Sequence, residues 1–211
     1  MNPVTSGPRA HRTPPRTRTA STDVRAALVN AAERLLEAEG PDALAVRRIA
    51  LEAGVAPMGV YNHFGSKQGI VDELFQRGFD TLRDTFADID RTDARAALVE
   101  SGLRYRALAL RRPRTYGVMF DRAVADYEPS PAAREHAQAS FAELVALVQH
   151  GMDEGVIRAD DATDAAQQMW SACHGAVSLE LRGLGFVDDR DAHHRRLVET
   201  MLRGLSTPRA T

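Results

Sequence analysis

Apolar residues recur at three- and four-residue intervals along this chain, with few interruptions from Val24 to Leu205. That spacing is the mark of amphipathic helices and not of strands. In the first segment Val24, Ala27, Leu28, Ala31, Leu35 and Leu36 share one helical face, with Ser21 or Thr22 as the cap and Gly40-Pro41 as the stop. A short second helix carries Val46, Ile49, Ala50 and Ala53 on one face and ends at Gly54. A third runs from near Pro57 to near Phe64. Ser66 then caps a fourth, whose apolar stripe is Ile70, Val71, Leu74, Phe75, Phe79, Leu82 and Phe86. Five more helices are predicted beyond Asp90. One covers roughly 92–110, and a shorter one opens at Pro113, where proline suits a first turn. A long one runs from Ser130-Pro131 to Gly155. The eighth opens at Asp160 or Asp161 and ends near Gly183; the ninth opens at Asp188 or Asp189 and ends near Gly204. No stretch alternates with period two for long enough to make a strand, so the predicted fold is all-α with about nine helices.

Composition adds the class but not the task. Hydrophobic residues at 44% and charged residues at 27% are the balance of a soluble globular protein. No apolar run approaches the roughly 18–20 residues that a membrane span needs. The N-terminal arginines are not followed by an apolar core, so no secretory signal is expected. Cys173 is the single cysteine, which excludes an internal disulfide and fits a reducing cytoplasm. A net charge of −2 argues against a polyanion partner until its distribution is considered. Residues 1–68 carry nine Lys/Arg against six Asp/Glu, whereas the remainder carries 18 against 23. A basic front on an acidic body implies that only the front meets a polyanion. Residues 1–20, with four prolines and with arginine as their only charged residue type, read as a disordered basic arm. Such an arm is either a solvated terminus or an extension that tracks phosphates.

The most informative stretch is Val46-Arg-Arg-Ile-Ala-Leu-Glu-Ala-Gly-Val-Ala-Pro-Met-Gly-Val-Tyr-Asn-His-Phe64. Two short helices meet there at a tight turn on Gly54, with Ile49, Ala50, Val55, Val60 and Phe64 placed to fix their angle. This packing leaves Pro57, Met58, Gly59, Tyr61, Asn62 and His63 on the expected outer face of the third helix, with Lys67 just beyond. A helix seated in a major groove presents its N-terminal residues to base edges, while Lys67 and Arg47 or Arg48 are placed to hold phosphates. Spacing alone fits any tight helical corner equally well.

The residues themselves resemble the tetracycline-repressor-like (TetR) family of transcriptional regulators. The matching run is Arg47-Arg-Ile-Ala50, then Ala53-Gly-Val55, then Val60-Tyr-Asn-His-Phe-Gly-Ser-Lys67 and Leu74. The resemblance implies a helix-turn-helix domain over 21–67 followed by a larger ligand-sensing and dimerisation domain over 68–207. It implies that Arg47, Tyr61, His63 and Lys67 lie at the DNA backbone, and that Pro57, Met58 and Gly59 face the bases of a double-stranded, near-palindromic operator. Ala45 and Ala56 stand where the family often carries capping threonine and serine, and Gly59 weakens the third helix further. Base readout is therefore expected to lean on apolar contacts and DNA shape. In the C-terminal part, Met169–Gly183 resembles the domain type named WHG, here Trp170, His174 and Gly175.

The last two helices are expected to pair with their copies in a homodimer. An effector pocket is expected among helices five to eight, with Tyr105, Tyr116, Met119, Phe120, Phe141, Trp170 and His174 as candidate lining residues, and no cofactor is expected. An enzyme is disfavoured: the chain has no Gly-x-Ser-x-Gly elbow, phosphate-binding glycine loop or His-Glu-x-x-His, and Cys173 sits in an apolar helix. Asp188, Asp189, Asp191, His193 and His194 form a metal-like cluster, more simply read as a charged helix start with histidines on its wet face. The alternatives to an operator-binding regulator are a helical protein-binding module and a metal sensor.

Overall fold

Five helix starts fall where the chain supplies a side-chain oxygen to the first free amides. The computed structural model describes residues 21–158 and 161–206; the basic arm expected over 1–20 lies outside them. Among the described residues there are nine α-helices and one 3-10 turn, Pro41–Ala43. The helices are α1 (Ser21–Glu39), α2 (Val46–Glu52), α3 (Met58–Phe64), α4 (Lys67–Ala87), α5 (Ala94–Arg111), α6 (Pro113–Phe120), α7 (Pro131–Asp153), α8 (Ala162–Leu181) and α9 (Arg190–Leu205). Ser66 caps α4 by accepting from the Gly69 amide, and Ser130 caps α7 by accepting from Ala133. Asp93, Asp161 and Asp189 do the same for α5, α8 and α9. The starts of α2 and α3, at Ala45 and Pro57, have no side-chain cap. Both helices of the pair that the sequence marks as helix-turn-helix therefore lack a side-chain cap, as does α6, which opens on Pro113.

A single apolar cluster runs from Leu28 of α1 to Leu205 of α9. The long helix α4 is its spine. Ile70, Val71 and Leu74 pack beneath α1 and α3, while Phe75, Phe79, Leu82 and Phe86 face the C-terminal helices. The N-terminal unit is clamped to the rest through α1 and α6. The Glu37 carboxylate accepts from the Thr115 amide at 2.8 Å and from the Thr115 hydroxyl at 2.6 Å. Arg114 donates to the last carbonyls of α1, on Leu36 and Glu37, and Arg112 pairs with Glu33.

The far end is tied by a largely buried ion pair. Arg106 of α5 grips Glu180 of α8 through two bonds of 2.7 and 2.8 Å and reaches Asp191 of α9 at 2.7 Å. The Glu180 carboxyl is held below the usual range chiefly by its bonds to Arg106. The histidines predicted on the wet face of the last helix divide here. His193 is exposed, but His194 is buried, and its Nε2–H donates to the Gly102 carbonyl at 3.1 Å. Its neighbour Val198 closes on Gly102 too, so His194 belongs to the α5–α9 seam and not to the solvent. Asp189 serves as the helix cap and Asp191 as the partner of Arg106. No group of three or more His, Cys, Asp or Glu among the described residues is placed to hold a metal ion. No described helix is long and apolar enough to cross a membrane.

Candidate nucleic-acid interface and internal cavity

The α2–α3 corner is built as its residues dictate. Gly54 turns with φ 68°, a left-handed conformation that costs glycine little and side-chain-bearing residues more. The Gly54 amide donates to Leu51 O and the Val55 amide to Ala50 O, which closes the end of α2. Ile49, Ala50 and Val60 are buried at the corner, with Val55 and Phe64 partly buried beside them. Arg25 lies over the Phe64 ring at 4.7 Å and pairs with Glu73, which pins the end of α3 between α1 and α4.

With Val60 inward, α3 presents Pro57, Met58, Tyr61 and Asn62 to solvent. Met58 is 63% exposed and Tyr61 50%, and their three-residue spacing puts them on one side of α3. His63 is half-buried against Phe64. Lys67 is exposed at the first position of α4. Of the two arginines on α2, Arg48 is engaged by Glu39 at 2.6 Å, whereas Arg47 is exposed and has no ion-pair partner among the described residues. Gly59 departs from expectation. A Cβ built on it would point at Val55 and Leu28, 3.6 and 3.9 Å away, so this position faces the helical core and offers no side to a base. Leu51, 82% exposed on the outside of α2, was not singled out from the sequence. A leucine two residues after a buried isoleucine falls on the opposite side of the helix, and its exposure carries no signal in the periodicity.

Behind this unit lies a cavity of about 380 Å³. α4 contributes Phe75, Phe79, Leu82 and Phe86; α5 contributes Ser101, Gly102 and Tyr105; α6 contributes Met119 and Phe120. α7 adds Ala137, Gln138, Ser140, Phe141 and Leu144, and α8 adds Gln167, Met169, Trp170 and Cys173. Five of the expected lining residues are therefore in the wall: Tyr105, Met119, Phe120, Phe141 and Trp170. Helix four is one of its main contributors, although the pocket was expected among helices five to eight.

Tyr116 and His174 are the exceptions, because hydrogen bonding draws them behind the wall. The Trp170 Nε1–H donates to the Tyr105 hydroxyl at 3.3 Å, the two tyrosine hydroxyls meet at 2.9 Å, and Tyr116 approaches His174 Nδ1 at 2.7 Å. Burial lowers the His174 pKa, so its imidazole is held neutral and Nδ1 accepts from the Tyr116 hydroxyl. Burial raises the Tyr105 pKa to about 12 and raises that of Tyr116 as well, keeping both hydroxyls protonated. This chain satisfies the polar tips among themselves and leaves ring faces toward the cavity. Burial likewise pushes the Cys173 thiol up to about 12, so it is an apolar wall atom and not a thiolate nucleophile. Gly175, the third residue of the expected Trp-His-Gly set, is exposed, with nothing near a Cβ built on it.

Comparison with known proteins fits this layout. Residues 28–74 match the family described as bacterial regulatory proteins, tetR family. Residues 98–205 match the tetracyclin repressor-like C-terminal domain; the WHG likeness rests on the stretch around Trp170 alone. The chain is similar to the uncharacterized HTH-type transcriptional regulator Rv0681 of Mycobacterium tuberculosis (strain ATCC 25618 / H37Rv). The two are 27% identical over 183 residues, which is 86% of this chain and 81% of the relative. Among solved structures, a protein of unknown function from Rhodococcus sp. RHA1 superposes with a TM-score of 0.79 at 25% identity, covering 92% of this chain and all of that one. NalD, the secondary repressor of the MexAB-OprM multidrug efflux pump in Pseudomonas aeruginosa, shares the fold with a TM-score of 0.65 at 22% identity, over 90% of this chain and 100% of its own. With one family match at the helix-turn-helix and a second spanning α5 to α9, this chain belongs to the TetR family of bacterial regulatory proteins.

Proposed function

We propose that this protein is a cytoplasmic, ligand-responsive repressor that binds a near-palindromic operator as a homodimer and leaves it when a small molecule fills the cavity. The observation that carries the reading is the outward face of α3. Met58 and Tyr61 stand in solvent, flanked by the cations Arg47 and Lys67, which have no ion-pair partner among the described residues. In this reading α1–α3 with the head of α4 form the DNA-binding unit, and the helices from α4 onward sense and dimerise. Pro57 and Met58 meet bases, and Arg47, Tyr61, His63 and Lys67 meet the phosphate backbone. Base contacts are largely apolar, which favours thymine methyls and groove shape over guanine-specific hydrogen bonds.

Dimerisation through α8 and α9 is supported by the exposed apolar side chains Leu179, Leu184, Phe186 and Val187 on α8 and its link to α9. Coupling has a short physical route. Met119 and Phe120 line the cavity from α6, and the first turn of the same helix holds α1 through Arg112, Arg114 and Thr115. A molecule that displaces α6 shifts that hold, and with it the spacing of two recognition helices. Catalysis has no place in this reading: the family is one of regulatory proteins, and the single thiol, Cys173, is buried and kept protonated. The test is selection of duplexes from a randomised library by the purified protein. A two-fold symmetric consensus with half-sites about one helical turn apart is expected, and recovery of unrelated sequences overturns the proposal.

A further inference from the structure

Resting on the effector reading above, we infer that the cavity takes a neutral, planar aromatic molecule bearing one hydrogen-bonding oxygen, and that Ser140 holds that oxygen. Size sets the scale. The cavity of about 380 Å³ is between two and three times the roughly 150 Å³ space that admits benzene, room for two or three fused rings. Charge comes next. The wall contains no Asp, Glu, Lys, Arg or His, so an ionised ligand would sit there without a counter-charge. Shape follows from the ring faces. Phe79 meets Phe120 edge-on at 5.3 Å, Phe120 meets Trp170 at 5.9 Å, and Trp170 meets Phe141 at 6.0 Å. This unbroken aromatic wall favours a flat π-system over a flexible chain of equal volume.

The polar anchor is found by elimination. The Tyr105 hydroxyl and the Trp170 N–H are spent on each other and on Tyr116. Ser101 donates to Leu98 O at 2.8 Å, and Gln138 and Gln167 are exposed residues whose amides are open to water, so neither is left short of a partner by burial. Ser140 is different: it is 1% exposed, and its Oγ has no hydrogen-bond partner, the one such buried side-chain atom among the described residues. A serine within a helix commonly bonds back to the carbonyl one turn earlier, and this one does not. A ligand carbonyl or hydroxyl at that wall supplies the missing partner.

The test is calorimetric titration of the full-length protein, without DNA, using 2-naphthol, naphthalene, 2-naphthoate and 1-decanol at neutral pH. The expected order has 2-naphthol binding about 3- to 10-fold tighter than naphthalene, the span of one neutral hydrogen bond. 2-Naphthoate is expected to be at least about 10-fold weaker than 2-naphthol, through desolvation of its carboxylate. 1-Decanol is also expected to be weaker than 2-naphthol. Ser140→Ala lowers 2-naphthol affinity to the naphthalene level, leaves naphthalene unchanged, and melts no lower than the wild type because it removes an unsatisfied hydroxyl. Equal loss for both aromatics, tighter binding of the anion or of decanol, or no binding by any probe overturns the assignment. Operator binding is read separately. A protein that ignores its operator leaves this result standing, whereas 2-naphthol that binds without disturbing the operator complex counts against the effector reading alone.

Discussion

Gly69 gives the sharpest test of how the DNA-binding unit is mounted. It lies in the first turn of α4, where that helix passes against the end of α3. A Cβ placed there would fall inside the envelope of the Phe64 carbonyl oxygen, 3.0 Å from its carbon and 3.2 Å from the Phe64 Cβ. Ordinary carbon contacts lie near 3.5–4.0 Å, and the obstacle is backbone, which cannot swing aside like a side chain. Gly69→Ala must therefore push α3 and α4 apart. Overpacking of this kind costs about 1–3 kcal/mol, toward the upper end where backbone must move. The same shift draws the Gly69 amide from Ser66 Oγ, now 3.2 Å away, weakening a cap worth roughly 0.5–2 kcal/mol. The helix preference of alanine returns at most about 1 kcal/mol. The expected net loss is about 2–3 kcal/mol, a fall in Tm of roughly 4–12 °C for a domain of this size. Urea titration followed by far-UV circular dichroism measures it. Binding of the selected operator should weaken by more than the stability loss explains, since α3 is displaced in the folded protein, while 2-naphthol binding in the cavity is unchanged. A Gly69→Ala protein within about 0.5 kcal/mol of the wild type that binds the operator normally refutes the argument.

Other outcomes follow from the same packing. Gly59→Ala adds a methyl at ordinary contact distance from Val55 and Leu28, so it should stabilise α3 by up to about 1 kcal/mol and slow hydrogen exchange there; a loss of stability would show that the position has no room. Arg106→Ala strands the largely buried Glu180 carboxylate and should cost about 3–5 kcal/mol in urea denaturation, with a loss below 1 kcal/mol contradicting the packing described. Burial lowers the pKa of His194 and of His174 relative to the unfolded chain; around His194, Arg106 and His193 also favour the neutral form, opposed by Glu180 and the Gly102 carbonyl. The unfolded state therefore binds more protons, and the stability these groups give is complete above the unfolded value near 6.5 and lost as pH falls through the lower folded values. Denaturation at pH 5.5 should thus need less urea than at pH 7.5, and His194→Gln should flatten the difference.

The sequence made the architecture legible because helix starts and stops are local chemistry. Ser66, Ser130 and Asp189 cap where their side chains predict, and Gly54 turns where only the backbone matters. The outer face of α3 followed from the buried positions Val60 and Ile49. What stayed hidden depends on the third dimension. Phe75, Phe79 and Phe86 read as a core stripe, and periodicity cannot distinguish a side chain that fills a core from one that walls a cavity. Tyr116 and His174 share the sequence character of lining residues but are drawn aside by hydrogen bonds that no spacing reveals. Gly59 lacks a side chain, so its direction appears only once Val55 and Leu28 are placed beside it, and His194 turns inward to donate a hydrogen bond to a backbone carbonyl on a helix distant in sequence.

Operator binding turns on the face of α3 and its flanking cations, and fluorescence anisotropy with the selected duplex over a range of salt concentrations tests this directly. Tyr61→Ala and Lys67→Ala should each weaken binding about tenfold or more, and Lys67→Ala should also lower the slope of log affinity against log salt by about 1.8, roughly 0.9 for the lysine of each subunit, with Arg95→Ala on α5 as an unaffected control. If both variants bind as tightly as the wild type at every salt concentration, α3 is not the element that enters the groove.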